Sequence, residues 1–279
     1  MQNTTRRQVL GGLAAIGAVG CGPFAVRREP PGVHEISDQI RGKRRRCLMV
    51  IPEGLVGPAP MLVALHDAGA TPEAMSGAAG LQAECAKRGW IGVFPSYMRP
   101  DMREDNAYVA HLVERVAALA GGDKARVFVL GHGAGGRRAY AFATANPRLI
   151  TAVGAVGAVI RFDGPDLGFQ DPRETPVSVL HLHGANDTDV PIGGGPLPCG
   201  DDTVCPAASA EAGLRPWIAA VGGVEAETTL ALPPGMTGQR WAASGREVVL
   251  LTDAQGGHEW SAERATPLFG SFFAAQPPR

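Results

Sequence analysis

Three groups of residues, far apart in the chain, have the types and settings to move a proton and hold an anion. Gly131-His132-Gly133-Ala134-Gly135 fills the frame Gly-x-Ser-x-Gly, in which a sharp strand-to-helix turn lifts a nucleophile beside a helix N-terminus. Asp187 and His258 follow in the chain order nucleophile, acid, base, the set that cleaves acyl bonds. The nucleophile position, however, is Gly133, which has no side chain to attack with. A fourth group, His66-Asp67-Ala68-Gly69, ends another apolar run in a turn.

Such residues need a parallel sheet to gather them. Arg126 to Leu130 reads as a buried strand and Ala134 to Ala145 as a helix stopped by Asn146 and Pro147. Earlier, Val33 to Ile40 and Arg46 to Ile51 read as strands turned at Arg41-Gly42, and Met61 to Leu65 as an apolar strand. A helix capped by Thr71 and Pro72 runs to Arg88, broken near Gly77 and Gly80. Trp90 to Phe94 is a strand, and from Asp105 to Leu119 apolar residues recur at three and four. Ile150 to Ile160, Val177 to Leu182, Glu225 to Leu232 and Glu247 to Thr252 read as strands, and Ala207 to Val221 as a helix. This alternation predicts an α/β protein: a mostly parallel central sheet with helices on both faces. In such sheets functional groups collect beyond the carboxyl ends of the strands. His66-Asp67, Gly133, Asp187 and His258 all fall there.

On these residues the chain resembles secreted carboxylesterases of the poly(3-hydroxybutyrate) depolymerase and feruloyl-esterase type, within the α/β-hydrolase fold. The resemblance is carried by Leu62 to His66, Asp123 to Gly136, His183 to Asp187 with Val190-Pro191, and Gly257 to Trp260. It implies that Asp187 orients the histidine, that His258 is the general base, and that the Ala134 backbone N–H serves an oxyanion hole. It implies no cofactor and no metal.

Two positions depart from that pattern. Gly133 replaces the serine, a loss that costs on the order of 10⁶ in turnover in a serine hydrolase. Asp67 stands near the oxyanion hole where the family has a glycine, and a carboxylate there opposes an anionic intermediate. The expectation is a hydrolase-fold protein impaired in ester cleavage, whose pocket takes a small ester-like ligand or a protein partner. One alternative is an active ester hydrolase using another nucleophile, with Ser96, Ser178 and Ser209 the nearest hydroxyls, or a water activated by His258. Another reads Gly131-x-Gly133-x-x-Gly136, with Asp163 beyond, as a dinucleotide fingerprint. His66, His132, His181 and His183 read as structural histidines, and no Cys/His spacing suggests zinc.

The 279 residues carry 45% apolar and 19% charged side chains, enough for one full core. A net charge of -1 argues against a nucleic-acid partner. The run Arg41 to Arg46 reads as a solvated hairpin edge. Residues 1–21 read as an export signal: Thr5-Arg6-Arg7 resembles a twin-arginine motif, and Val9 to Gly20 is shorter than the roughly 20 residues that span a bilayer. Ala18 to Cys21 resembles a lipoprotein box, so a lipid on Cys21 would attach the protein to a membrane; residues 22–32 form a linker and 33–279 one domain. The protein is thus expected outside the cytoplasm, periplasmic, membrane-anchored or extracellular. Oxidising surroundings permit disulfides, with Cys199 and Cys205 the pair by proximity and Cys47 with Cys85 a second possible pair.

Overall fold

The computed structural model describes residues 29–40, 42–96, 102–161, 172, 176–200, 203–228 and 230–279. The expectations for Arg6, Arg7, Cys21, Arg41 and Asp163 lie outside these residues. In chain order the strands are β1 (Gly32–Ile40), β2 (Lys43–Ile51), β3 (Ala59–Leu65), β4 (Ile91–Pro95), β5 (Gly122–His132), β6 (Ala152–Val156), β7 (Ser178–Gly184), β8 (Gly195–Gly200), β9 (Thr203–Ala207), β10 (Met236–Ala243) and β11 (Arg246–Asp253). Nine of them form one sheet in the order β1-β2-β4-β3-β5-β6-β7-β11-β10, and β8 pairs with β9. From β4 to β11 neighbours run parallel, while β1 and β2 at one edge and β10 at the other are antiparallel.

The inner strands read as unbroken apolar runs because both of their faces are covered. In β3, Met61, Val63 and Leu65 enter one core while Leu62 and Ala64 enter the other. Val127 and Val129 alternate with Phe128 and Leu130 in the same way along β5. Helices α2 (Met102–Ala120), α3 (Ala134–Ala145) and α4 (Ala210–Val221) bury Leu112, Phe142 and Trp217 on the first face. Helices α1 (Leu81–Arg88) and α5 (Ala265–Ala274) bury Leu81 and Phe269 on the second. There Phe128 lies between Trp90 and Phe273, with ring centroids 5.1 and 5.0 Å away, a contact geometry that adds to plain area burial.

Several expectations need correction. Among its described residues Glu225 to Leu232 holds no strand but a bridge from Glu227 to Arg240; β10 takes the edge instead. Its hairpin to β11 turns at Ser244-Gly245, both at positive φ (53° and 76°), the geometry that two-residue hairpin loops favour. Helix α5 was not foreseen, because Pro267 and Gly270 interrupt its pattern; proline is tolerated in a first turn, where no intrahelical N–H bond is lost. Cys47 and Cys85 are not a pair: their thiols are free and buried in cores on opposite faces of the sheet. Burial pushes the Cys85 thiol up to about 12. Cys199 and Cys205 are joined in a disulfide across the β8–β9 hairpin.

Nor is the basic run all solvated. Arg45 is buried against Asp105 and lies 4.4 Å over the Tyr108 ring, and Arg138 Nε donates to the same Asp105 at 2.9 Å. Among the described residues no helix is long and apolar enough to cross a membrane.

Candidate active site

Every group singled out for chemistry lies just past the carboxyl end of a parallel strand: Asp67 after β3, Gly133 after β5, Asp187 after β7 and His258 after β11. The sheet brings all four together. His258 Nδ1 lies 2.9 Å from Asp187 Oδ2, and on its other side His258 Nε2 lies 3.2 Å from Asp67 Oδ2. The second Asp67 oxygen, Oδ1, accepts the Ala134 backbone N–H at 2.7 Å.

The turn between β5 and α3 has the strained geometry its glycine frame demands. Gly133 sits at φ 50° and ψ -116°, outside the regions that side chains favour. A Cβ added there would fall well inside van der Waals contact of Asp67 Oδ1. The Asp67 carboxylate therefore stands where a side chain on residue 133 would stand, and it takes the Ala134 N–H at the start of α3.

Asp187 is fixed by its own loop. Its Oδ1 accepts the backbone N–H groups of Asp189 and Val190 at 3.0 and 2.8 Å, an Asx turn. Behind it runs a buried chain: Tyr140 Oη to His181 Nδ1 at 2.9 Å, His181 Nε2 to His183 Nδ1 at 2.8 Å, and His183 Nε2 to the Val190 carbonyl at 2.7 Å. The carbonyl can only accept, so His183 donates from Nε2, His181 donates to His183, and the Tyr140 hydroxyl donates to His181. Burial pushes both histidines below their ordinary proton affinity, so both rings are neutral and satisfied, as structural histidines should be.

The charges at the centre reinforce one another. The hydrogen bond to Asp67 raises the His258 imidazole most, burial opposes it, and Asp187 adds to the rise, placing it at about 9. Burial pushes the Asp67 carboxyl up, but the bonds from His258 and from the Ala134 and Ala68 N–H groups outweigh it and hold it at about 2. At neutral pH these shifts favour a protonated His258 imidazole facing an ionised Asp67.

Gly157 was not read from the sequence, and His132 was read as a structural histidine. A Cβ on Gly157, at φ 54° after β6, would meet Asp187 Oδ2 at 3.0 Å and His258 Nδ1 at 3.2 Å; only the bare backbone lets the acid and the base close on each other there. His132 faces the centre, its ring centroid 5.0 Å from that of His258, and its Nε2 lies 2.6 Å from the His258 carbonyl. Its one signal was its place beside the elbow.

The alternative serines have other partners. Ser96 Oγ donates to the Arg46 carbonyl at 2.8 Å, the Glu247 backbone N–H donates to Ser178 Oγ at 3.3 Å, and Ser209 Oγ caps α4. The dinucleotide reading meets an obstacle as well, since the helix N-terminus that would take a pyrophosphate holds Asp67.

No family model and no curated protein matches the sequence. Solved structures do match. An acetyl xylan esterase from Aspergillus awamori aligns with a TM-score of 0.62 at 15% identity, covering 88% of this chain and 99% of its own. Est1E from Butyrivibrio proteoclasticus aligns with a TM-score of 0.57 at 14% identity, covering 86% and 97%. The fold is that of the α/β-hydrolases. Identity this low speaks for the fold alone. At this rim Asp187, His258, Gly133 and the Ala134 N–H lie together.

Proposed function

We propose that this chain is an exported α/β-hydrolase-fold protein, akin to the polyhydroxybutyrate depolymerase and feruloyl-esterase type of carboxylic ester hydrolase, in which the serine route is closed. One observation carries the reading: the Asp67 carboxylate lies against the space over Gly133, bonded to both the Ala134 N–H and His258. It satisfies the groups that would serve a serine and its oxyanion, and its charge repels the anion that acyl transfer builds. The pocket would bind a small ester-like ligand or a protein partner without turning it over efficiently.

The export signal over residues 1–21 and a lipid on Cys21 belong to the same proposal. They would place the protein in the periplasm, on a membrane or outside the cell, where the Cys199–Cys205 disulfide is stable.

The test is p-nitrophenyl acetate hydrolysis by the protein as it stands, beside Gly133→Ser and Asp67→Gly/Gly133→Ser. The unaltered protein and the single variant should show negligible turnover, and the double variant should gain at least about a hundredfold as the histidine recovers a hydroxyl partner. Ordinary esterase turnover by the unaltered protein would overturn the reading.

A further inference from the structure

We propose that Asp67, His132 and His258 form a binding site for a first-row divalent cation, with zinc the best fit. One ligand atom from each lies within 4.8 Å of the others, and Asp67 Oδ2 is 3.2 Å from His258 Nε2. A tetrahedral ion with ligands at about 2.0–2.1 Å spaces them about 3.3–3.4 Å apart. The carboxylate and one imidazole already stand at that spacing.

Hydrogen bonds show which nitrogens are available to coordinate. His258 Nδ1 is committed to Asp187, which leaves Nε2 toward Asp67. His132 Nε2 bonds a carbonyl, which can only accept, so that nitrogen carries the proton and the lone pair lies on Nδ1. None of the hydrogen bonds among the described residues reaches that lone pair. Each histidine thus has one nitrogen held by an oxygen acceptor, Asp187 or a backbone carbonyl, and the other would meet an ion that displaces the proton His258 Nε2 shares with Asp67 Oδ2. This is the outer support that metal-binding histidines characteristically have.

The carboxylate fits the same role. Asp67 Oδ1 is tethered by the Ala134 N–H, leaving Oδ2 as a single ligand atom. That tether also offsets the partial positive charge of the α3 N-terminus, which would otherwise oppose a cation. With neutral imidazoles, Asp67 and Asp187 together balance a dication. Two histidines and one carboxylate leave a coordination position open for water or a substrate oxygen. Spacing along the chain hides this set, because its members lie at or beyond the ends of three different strands.

The site is independent of the ester reading: absence of metal binding would leave the Gly133–Asp67 argument standing, and the esterase result for the double variant would not bear on metal. The test uses the full chain stripped with EDTA and titrated with Co²⁺, then Zn²⁺. One Co²⁺ per chain should bind with visible d–d bands, and Zn²⁺ should displace it. His132→Ala and Asp67→Asn should each weaken binding at least about tenfold, whereas His111→Ala, at the exposed His111–Asp38 pair, should not. His132→Asn serves if the alanine variant does not fold. No d–d spectrum, undiminished binding in the His132 variant, or loss in His111→Ala would each overturn the proposal.

Discussion

The Asp67 carboxylate and the His258 imidazole face each other at 3.2 Å across the rim of the sheet. In a serine hydrolase that side of the histidine faces a neutral hydroxyl and must be free to take its proton. Here it faces an anion, with a second anion, Asp187, behind. The two carboxylates raise the His258 imidazole to about 9, so a proton on this ring is favoured at neutral pH.

That pairing sets the titration of His258. In metal-free protein its ring, followed by NMR, should titrate near 9. Asp67→Asn removes the largest cause of the rise and should bring it down toward the ordinary 6.5, Asp187 keeping it from falling the whole way. An unaltered titration in the variant would show that the two side chains do not pair in solution.

Stability should follow pH with the matching sign. His258 holds its proton more tightly folded than unfolded, so its contribution is complete below pH 6.5 and disappears as the pH rises through about 9. Asp67 is held at about 2 against an ordinary 3.8, so its contribution is present above 3.8 and is lost as the pH falls through 2. The Tm of the unaltered protein should therefore exceed that of Asp67→Asn most between these limits, and the gap should narrow above pH 9. A gap that stayed undiminished from pH 6.5 to above pH 9 would contradict the pairing.

Away from the rim, Asp105 lies between two buried guanidiniums, Arg45 and Arg138. Asp105→Ala would remove the carboxylate that both guanidiniums share, and breaking a buried pair in this way costs about 3–5 kcal/mol. Urea unfolding should show a loss of that size. A loss below about 1 kcal/mol, the range of exposed pairs, would mean that water reaches the cluster.

Much of this architecture was legible because burial on both faces writes itself as apolar runs. Met61 to Leu65 and Arg126 to Leu130 could hardly be anything but inner strands, and Asp187 and His258 were legible as residues just past such runs. At the antiparallel edge the signal was weaker: Glu225 to Leu232 alternates as a strand should, yet the turn chemistry of Ser244-Gly245 drew Met236–Ala243 to the edge. What the rim does was harder to read. That Asp67 would bond the Ala134 N–H and His258 depends on a side chain reaching partners 67 and 191 residues away. Gly157 gave no sign, since its role lies in the space it leaves to Asp187 and His258.

The claim that Asp67 closes the serine route is tested most directly by labelling with a fluorophosphonate probe, read by mass spectrometry of the modified peptide. The unaltered protein, Gly133→Ser and Asp67→Gly should remain unlabelled, and Asp67→Gly/Gly133→Ser should be labelled stoichiometrically at position 133. Stoichiometric labelling of Gly133→Ser alone, or of a native serine in the unaltered protein, would contradict it.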